Sequence, residues 1–173
     1  MGLLRRGDDE GDAKAETRFQ MREDLLSIGD DYWIEDSHGR KAFRVNGKAM
    51  RVRDTWVLED GAGQEVATIR ERKLSIRDAI KIELASGETA VVKKALVGFR
   101  DRFHIELDHG EDLKAHGNIV DHEYEIEQDG HEVGEVSKKW FRVRDTYGVE
   151  VKRDADPVLI LAITVAIDAF SHD

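Results

Sequence analysis

Apolar and polar residues alternate with a period of two along much of the chain. Tyr32/Ile34, Ile80/Ile82/Leu84 and Tyr124/Ile126 each skip a polar neighbour, as strands buried on one face do. Asp36-Ser-His-Gly39, Asp60-Gly-Ala-Gly63, Ser86-Gly87 and Asp129-Gly130 punctuate the alternation and read as hairpin turns. The pattern also repeats. Arg-Asp recurs at Arg53-Asp54, Arg77-Asp78, Arg100-Asp101 and Arg144-Asp145, each 13 or 14 residues after one of the glycines Gly39, Gly63, Gly87 and Gly130. Apolar residues keep the same register. Met50, Leu74, Val97 and Phe141 stand four before the Asp; Val52, Ile76, Phe99 and Val143 stand two before; Trp56, Ile80, Phe103 and Tyr147 stand two after. Val45, Ile69 and Val136 stand six after the turn glycine, with Val92 at five in the shorter third copy. Such a register predicts one supersecondary unit used several times, a hairpin plus a strand leading into the next unit. Four units, with extra strands near residues 103–107 and 112–117, predict about a dozen strands, which closure into a barrel would leave without open edges.

The C-terminus departs from this pattern. Pro157 opens an apolar run through Ile167, followed by Asp168, Ala169 and Phe170. Proline suits a first helical turn. The run lacks two-residue alternation and is apolar on every side except Thr164, so it predicts a helix buried all round. Fourteen residues span about 21 Å, short of a ~30 Å hydrocarbon layer. The barrel interior is the place for it.

Composition narrows the function classes. The chain has 173 residues and no cysteine, which excludes disulfides, zinc–thiolate sites and thiol nucleophiles and fits a reducing cytoplasm. Residues 1–18 are rich in Gly, Asp, Glu and Arg and are expected to be a disordered tail; a single domain is expected over 19–173. Charged residues make up 37% and the net charge is −10, which disfavours nucleic acid as a partner. No apolar segment of signal-peptide or membrane-spanning type occurs, so neither a secreted nor a transmembrane protein is expected.

Two stretches carry a family resemblance: Ser137-Lys-Lys-Trp-Phe-Arg-Val-Arg-Asp-Thr-Tyr-Gly-Val-Glu-Val151 and Gly117-Asn-Ile-Val-Asp-His-Glu-Tyr-Glu-Ile126. Together with residues 32–36 and 74–78 and the apolar C-terminal run, they resemble the LURP-one-related family over about residues 19–172. The resemblance implies a mainly β, tubby-like fold: a closed barrel of some twelve strands around a central hydrophobic C-terminal helix. The wider clan includes tubby C-terminal domains, which bind phosphoinositides, and phospholipid scramblases. No catalytic residue follows from the family, and fold alone does not assign function.

Four groups of residues offer chemistry. Lys48, Arg70, Arg72, Lys73, Lys93, Lys94, Lys138 and Lys139 recur at similar places in successive units. Brought to one rim, Arg70, Arg72, Lys73, Lys93, Lys94, Lys138 and Lys139 would attract anionic lipid at about 1 kcal/mol per basic residue. The competing reading is a solvated face neutralised by its acidic neighbours. The Arg-Asp pairs could form an anion site at Arg53, Arg77, Arg100 or Arg144, but fourfold recurrence favours a structural joint, the Asp accepting turn N–H groups. His104, His109, His116 and His122 lie 5, 7 and 6 apart, unlike tightly spaced metal-binding histidines, and no metal or cofactor is expected. His122 is expected to make an orienting hydrogen bond. Trp33 and Trp140 have strand parity opposite to their apolar neighbours, which suits either a membrane interface or packing under a loop. No nucleophile elbow, P-loop, dinucleotide fingerprint or zinc-protease motif is present. The expectation is therefore a non-enzymatic, monomeric binding or scaffold domain. Its expected partner is an anionic phospholipid, met peripherally from the cytoplasm; the alternatives are a protein-interaction module without lipid affinity and an enzyme with a concealed site.

Overall fold

A computed structural model describes residues 16–22, 32–46, 55–73, 78–95, 101–141 and 145–170. Twelve antiparallel strands precede one helix: β1 (Thr17–Arg22), β2 (Tyr32–Asp36), β3 (Lys41–Asn46), β4 (Thr55–Asp60), β5 (Glu65–Lys73), β6 (Asp78–Leu84), β7 (Thr89–Lys94), β8 (Asp101–Leu107), β9 (Leu113–Asn118), β10 (Glu123–Gln128), β11 (His131–Ser137), β12 (Thr146–Val151) and α1 (Pro157–Phe170). Each strand pairs with its sequence neighbours, and β1 pairs with β12, so the sheet closes. Closure satisfies every edge that an open sheet would present to other chains.

The period of two decides what fills the barrel. The positions in common register converge: Trp56, Ile80, Phe103 and Tyr147 are buried, as are Val45, Ile69, Val92 and Val136. The repeated glycines Gly39, Gly63, Gly87 and Gly130 all adopt φ between 73° and 95°, the left-handed turn backbone that side chains disfavour. In the first two hairpins an aspartate secures the turn. Asp36 Oδ1 accepts from the N–H groups of His38 and Arg40, and Asp60 Oδ1 from those of Ala62 and Gln64, at 2.9–3.0 Å.

Helix α1 runs up the barrel axis. Asp156 caps it by accepting the Val158 N–H at 2.9 Å, and Leu159 to Ala169 are all buried. Antiparallel order places the β2–β3, β4–β5, β6–β7, β8–β9 and β10–β11 hairpins at the end where α1 starts. The opposite strand ends, with the β9–β10 turn, lie where it finishes. Of the Arg-Asp joints only Asp145 is fully within the described residues; it is exposed, with φ 58°. The other arginines and aspartates of these joints, the segments around Met50, Val52, Leu74, Ile76, Val97 and Phe99, and residues 1–15 of the expected tail lie outside the described residues or lack described side chains. The last two residues of that expected tail, Thr17 and Arg18, instead open β1.

Gly117 shows how tightly the strands approach. It has φ 141°, and a Cβ there would stand 2.6 Å from the Glu123 carbonyl oxygen and 2.7 Å from Tyr124 Cα. Gly117→Ala is therefore expected to lower unfolding free energy by roughly 2–5 kcal/mol through backbone strain and overpacking. Urea denaturation checks this; a variant as stable as the wild type would contradict the close approach.

Candidate functional site

The register sorts the basic residues into distinct regions. On β5, Arg70 and Arg72 point outward and are exposed. Arg70 lies directly opposite Lys81 of β6, and Arg72 opposite Ala79. Ala79 lies opposite Lys93 of β7. The outer face of β5–β7 thus carries Arg70, Arg72, Lys81 and Lys93 around one small residue. Lys81 pairs with Glu83 at 2.9 Å, and Lys93 with Glu106 at 2.9 Å. Arg70 and Arg72 make no ion pair among the described residues. Their field still reaches Glu83, whose carboxyl is held below its usual range first by the Lys81 hydrogen bond and charge, with Arg70 and Arg72 adding to it. Like charges directly opposite one another destabilise a sheet, so the Arg70–Lys81 pair costs the fold something.

Lys73 and Lys94 follow Arg72 and Lys93 directly and end β5 and β7 at the same end of the barrel, away from the short hairpins. The remaining expected residues lie elsewhere. Lys138 and Lys139 follow β11, which is six strands from β5 in either direction around the ring. Their backbone N–H groups are held by Glu123 Oε1 and Ser137 Oγ, at 3.0 and 3.1 Å. Beside them Trp140 is half-buried: it packs over Gly148, where a Cβ would meet its ring at 2.7 Å, and Arg18 covers it at 4.8 Å. Trp33 faces outward beneath Lys41 and Arg44, 4.9 and 5.6 Å from its centroid. It lines a cleft of about 490 Å³ with Gln20, Arg22, Tyr32, Glu35, Lys41 and Thr146. The single basic rim expected from the repeat is thus resolved into a wall on β5–β7 and a separate surface near β1–β3 and the β11–β12 connection.

A buried polar cluster occupies the far end of the helix. Asp168, in the last turn of α1, is 1% exposed and accepts a hydrogen bond from the Tyr147 phenol. Burial raises its carboxyl from an ordinary value near 3.8 to about 7, against the lowering effect of that bond. The His122 ring stacks on Tyr147 with centroids 4.2 Å apart, and its Nδ1 lies 3.6 Å from Asp168 Oδ1. His122 does face a carboxylate, but across the barrel end rather than beside it in sequence. Tyr32 and Tyr124 also feel the Asp168 charge, so all three tyrosines of the chain gather there. Burial drives the Tyr124 and Tyr147 phenols well above their usual range, with Asp168 adding to the rise; they are neutral donors, not bases. Sequence reasoning missed Asp168 because one acid near the end of an apolar helix gives no sign of its surroundings.

On the outer wall, His116 of β9 lies directly opposite Glu125 of β10. Its Nε2 is 3.1 Å from Glu127 Oε1. Histidine spacing alone hid this group, because its partners are carboxylates on the next strand. Among the described residues Val120 is the large apolar side chain that stands exposed, and no helix is long and apolar enough to cross a membrane.

The comparisons agree with this geometry. A crystal structure of an Arabidopsis thaliana protein superposes with a TM-score of 0.62, covering 92% of this chain and 93% of that one at 18% identity; that similarity shows the fold. Among curated proteins none matches. The sequence model of the LURP-one-related family matches residues 17–168, nearly the whole described barrel and its helix, and the chain belongs to that family.

Proposed function

We propose that the chain is a non-catalytic binding domain whose ligand is an anionic phospholipid headgroup, held on the outer wall of β5–β7. The observation that carries this reading is the clustering of Arg70, Arg72, Lys81 and Lys93 around Ala79 in a chain of net charge −10. Two of these cations have no ion pair among the described residues, and one like-charged pair sits directly across adjacent strands. A bound phosphate would relieve that repulsion through charge-assisted hydrogen bonds. Each basic residue near an anionic surface contributes about 1 kcal/mol, so the wall supports weak, reversible, salt-sensitive binding.

Charge reversal tests the location. Arg70→Glu with Arg72→Glu is expected to reduce co-sedimentation with phosphatidylserine or phosphoinositide vesicles at least tenfold at low salt. Lys138→Glu with Lys139→Glu, on the opposite side of the barrel, is expected to change it little. The reverse ranking would move the site to the β11–β12 side and remove the wall from the account. A protein-interaction reading would call for an exposed apolar patch, and among the described residues the surface offers Val120 alone.

A further inference from the structure

We propose that His116, Glu125 and Glu127 form a binding site for a divalent transition-metal cation of the zinc class. The strand pairing prepares it. His116 is directly opposite Glu125, while Glu127 is its diagonal neighbour on the same outward side. Between them Ala115 and Ile126 point into the core, so neither strand can rotate its ligands away. One donor atom from each side chain lies within 4.8 Å of the other two, and His116 Nε2 already approaches Glu127 Oε1 to 3.1 Å. Bonds of about 2.0–2.2 Å to imidazole nitrogen and carboxylate oxygen are the distances zinc takes. A cation inside this triangle needs only small side-chain rotations to reach all three.

The ligand set selects the class of ion. Calcium and magnesium take all-oxygen shells, whereas an imidazole with two carboxylates suits zinc and its neighbours in the first transition row. Three protein donors leave coordination positions open to water or to an external ligand. Glu125 and Glu127 lie on one face two residues apart and repel each other, which a cation between them would reverse. The nearest basic residues by register do not already serve. Arg102 opposite His116 and Lys114 opposite Glu127 are exposed, and among the described residues neither forms an ion pair. Glu127 turns instead to His116.

The site lies on β9 and β10, apart from the basic wall, so its test is independent of lipid binding. The full chain is titrated with zinc alone in chelator-free buffer, followed by calorimetry and by NMR of the imidazole and backbone amide signals. The first equivalent is expected to shift His116 and the amides of residues 115–117 and 124–128 before those of the exposed histidines His38 and His109. His116→Ala and, separately, Glu125→Gln are expected to weaken that first binding step at least tenfold while leaving the zinc-free melting temperature unchanged. Uptake as tight in His116→Ala as in the wild type, a first equivalent that perturbs His38 or His109 as strongly as His116, or no uptake would each overturn the proposal.

Discussion

Deleting residues 157–173 is expected to convert the domain into an insoluble or molten species. The barrel interior is not a pore in this molecule; it is filled by α1. Leu159 to Ala169 are buried against the inward side chains of the strands, with contacts to β5, β6, β7 and β12. Without the helix, residues such as Ile80, Ile82 and Val92 would face a cavity far larger than any core tolerates. Point substitution gives a graded version. Leu161 is fully buried, so Leu161→Ala should cost about 2–5 kcal/mol. Chemical denaturation and near-UV circular dichroism of both variants check this. A soluble truncated barrel that unfolds cooperatively would show that the helix is dispensable.

The second large effect depends on pH. Asp168 has a carboxyl raised to about 7 in the folded chain, from about 3.8 when unfolded. Between those values the folded state binds the extra proton, so unfolding free energy falls as pH rises through the window. The stabilising contribution is fully present below about pH 4 and is lost as pH rises through 7. At about 1.4 kcal/mol per unit the loss is on the order of 4 kcal/mol. Among the described residues, Tyr147, His122, Tyr124 and Tyr32 face the carboxylate. Asp168→Asn carries no titrating proton and keeps an acceptor for Tyr147. Its advantage over the wild type should be about 1 kcal/mol at pH 4.5 and grow to several kcal/mol at pH 8. An advantage independent of pH, or a wild type more stable at pH 8, would show that Asp168 stays ionised against a protonated His122.

Most of the barrel was legible because inward positions obey two independent regularities. Ile69, Ile80 and Ile82 satisfy the strand period, and Trp56, Phe103 and Tyr147 recur at one place in each unit. The turn glycines mark the hairpins, and a helix apolar on nearly every side and too short to span a bilayer fits a protein interior. Side-chain neighbourhood was far less legible. Periodicity says which side of a sheet a residue faces; only register and closure say what stands beside it. Arg70, Arg72 and Lys93 share a wall because β5, β6 and β7 are adjacent, whereas Lys138 and Lys139 belong across the ring. His116 meets Glu125 and Glu127 through a cross-strand pairing that no spacing rule for histidines contains. Asp168 becomes intelligible only once Tyr147 and His122 are seen converging on the last turn of α1.

Vesicle co-sedimentation decides whether the outer basic wall binds anionic headgroups as proposed. The purified chain is mixed with neutral, phosphatidylserine and phosphoinositide-doped vesicles at low and high salt. Binding to the anionic vesicles is expected at low salt, with none to neutral ones, and is expected to be lost as salt screens the wall over a Debye length near 10 Å at 0.1 M. No sedimentation with any vesicle at low salt, where electrostatic attraction is greatest, would contradict the proposal.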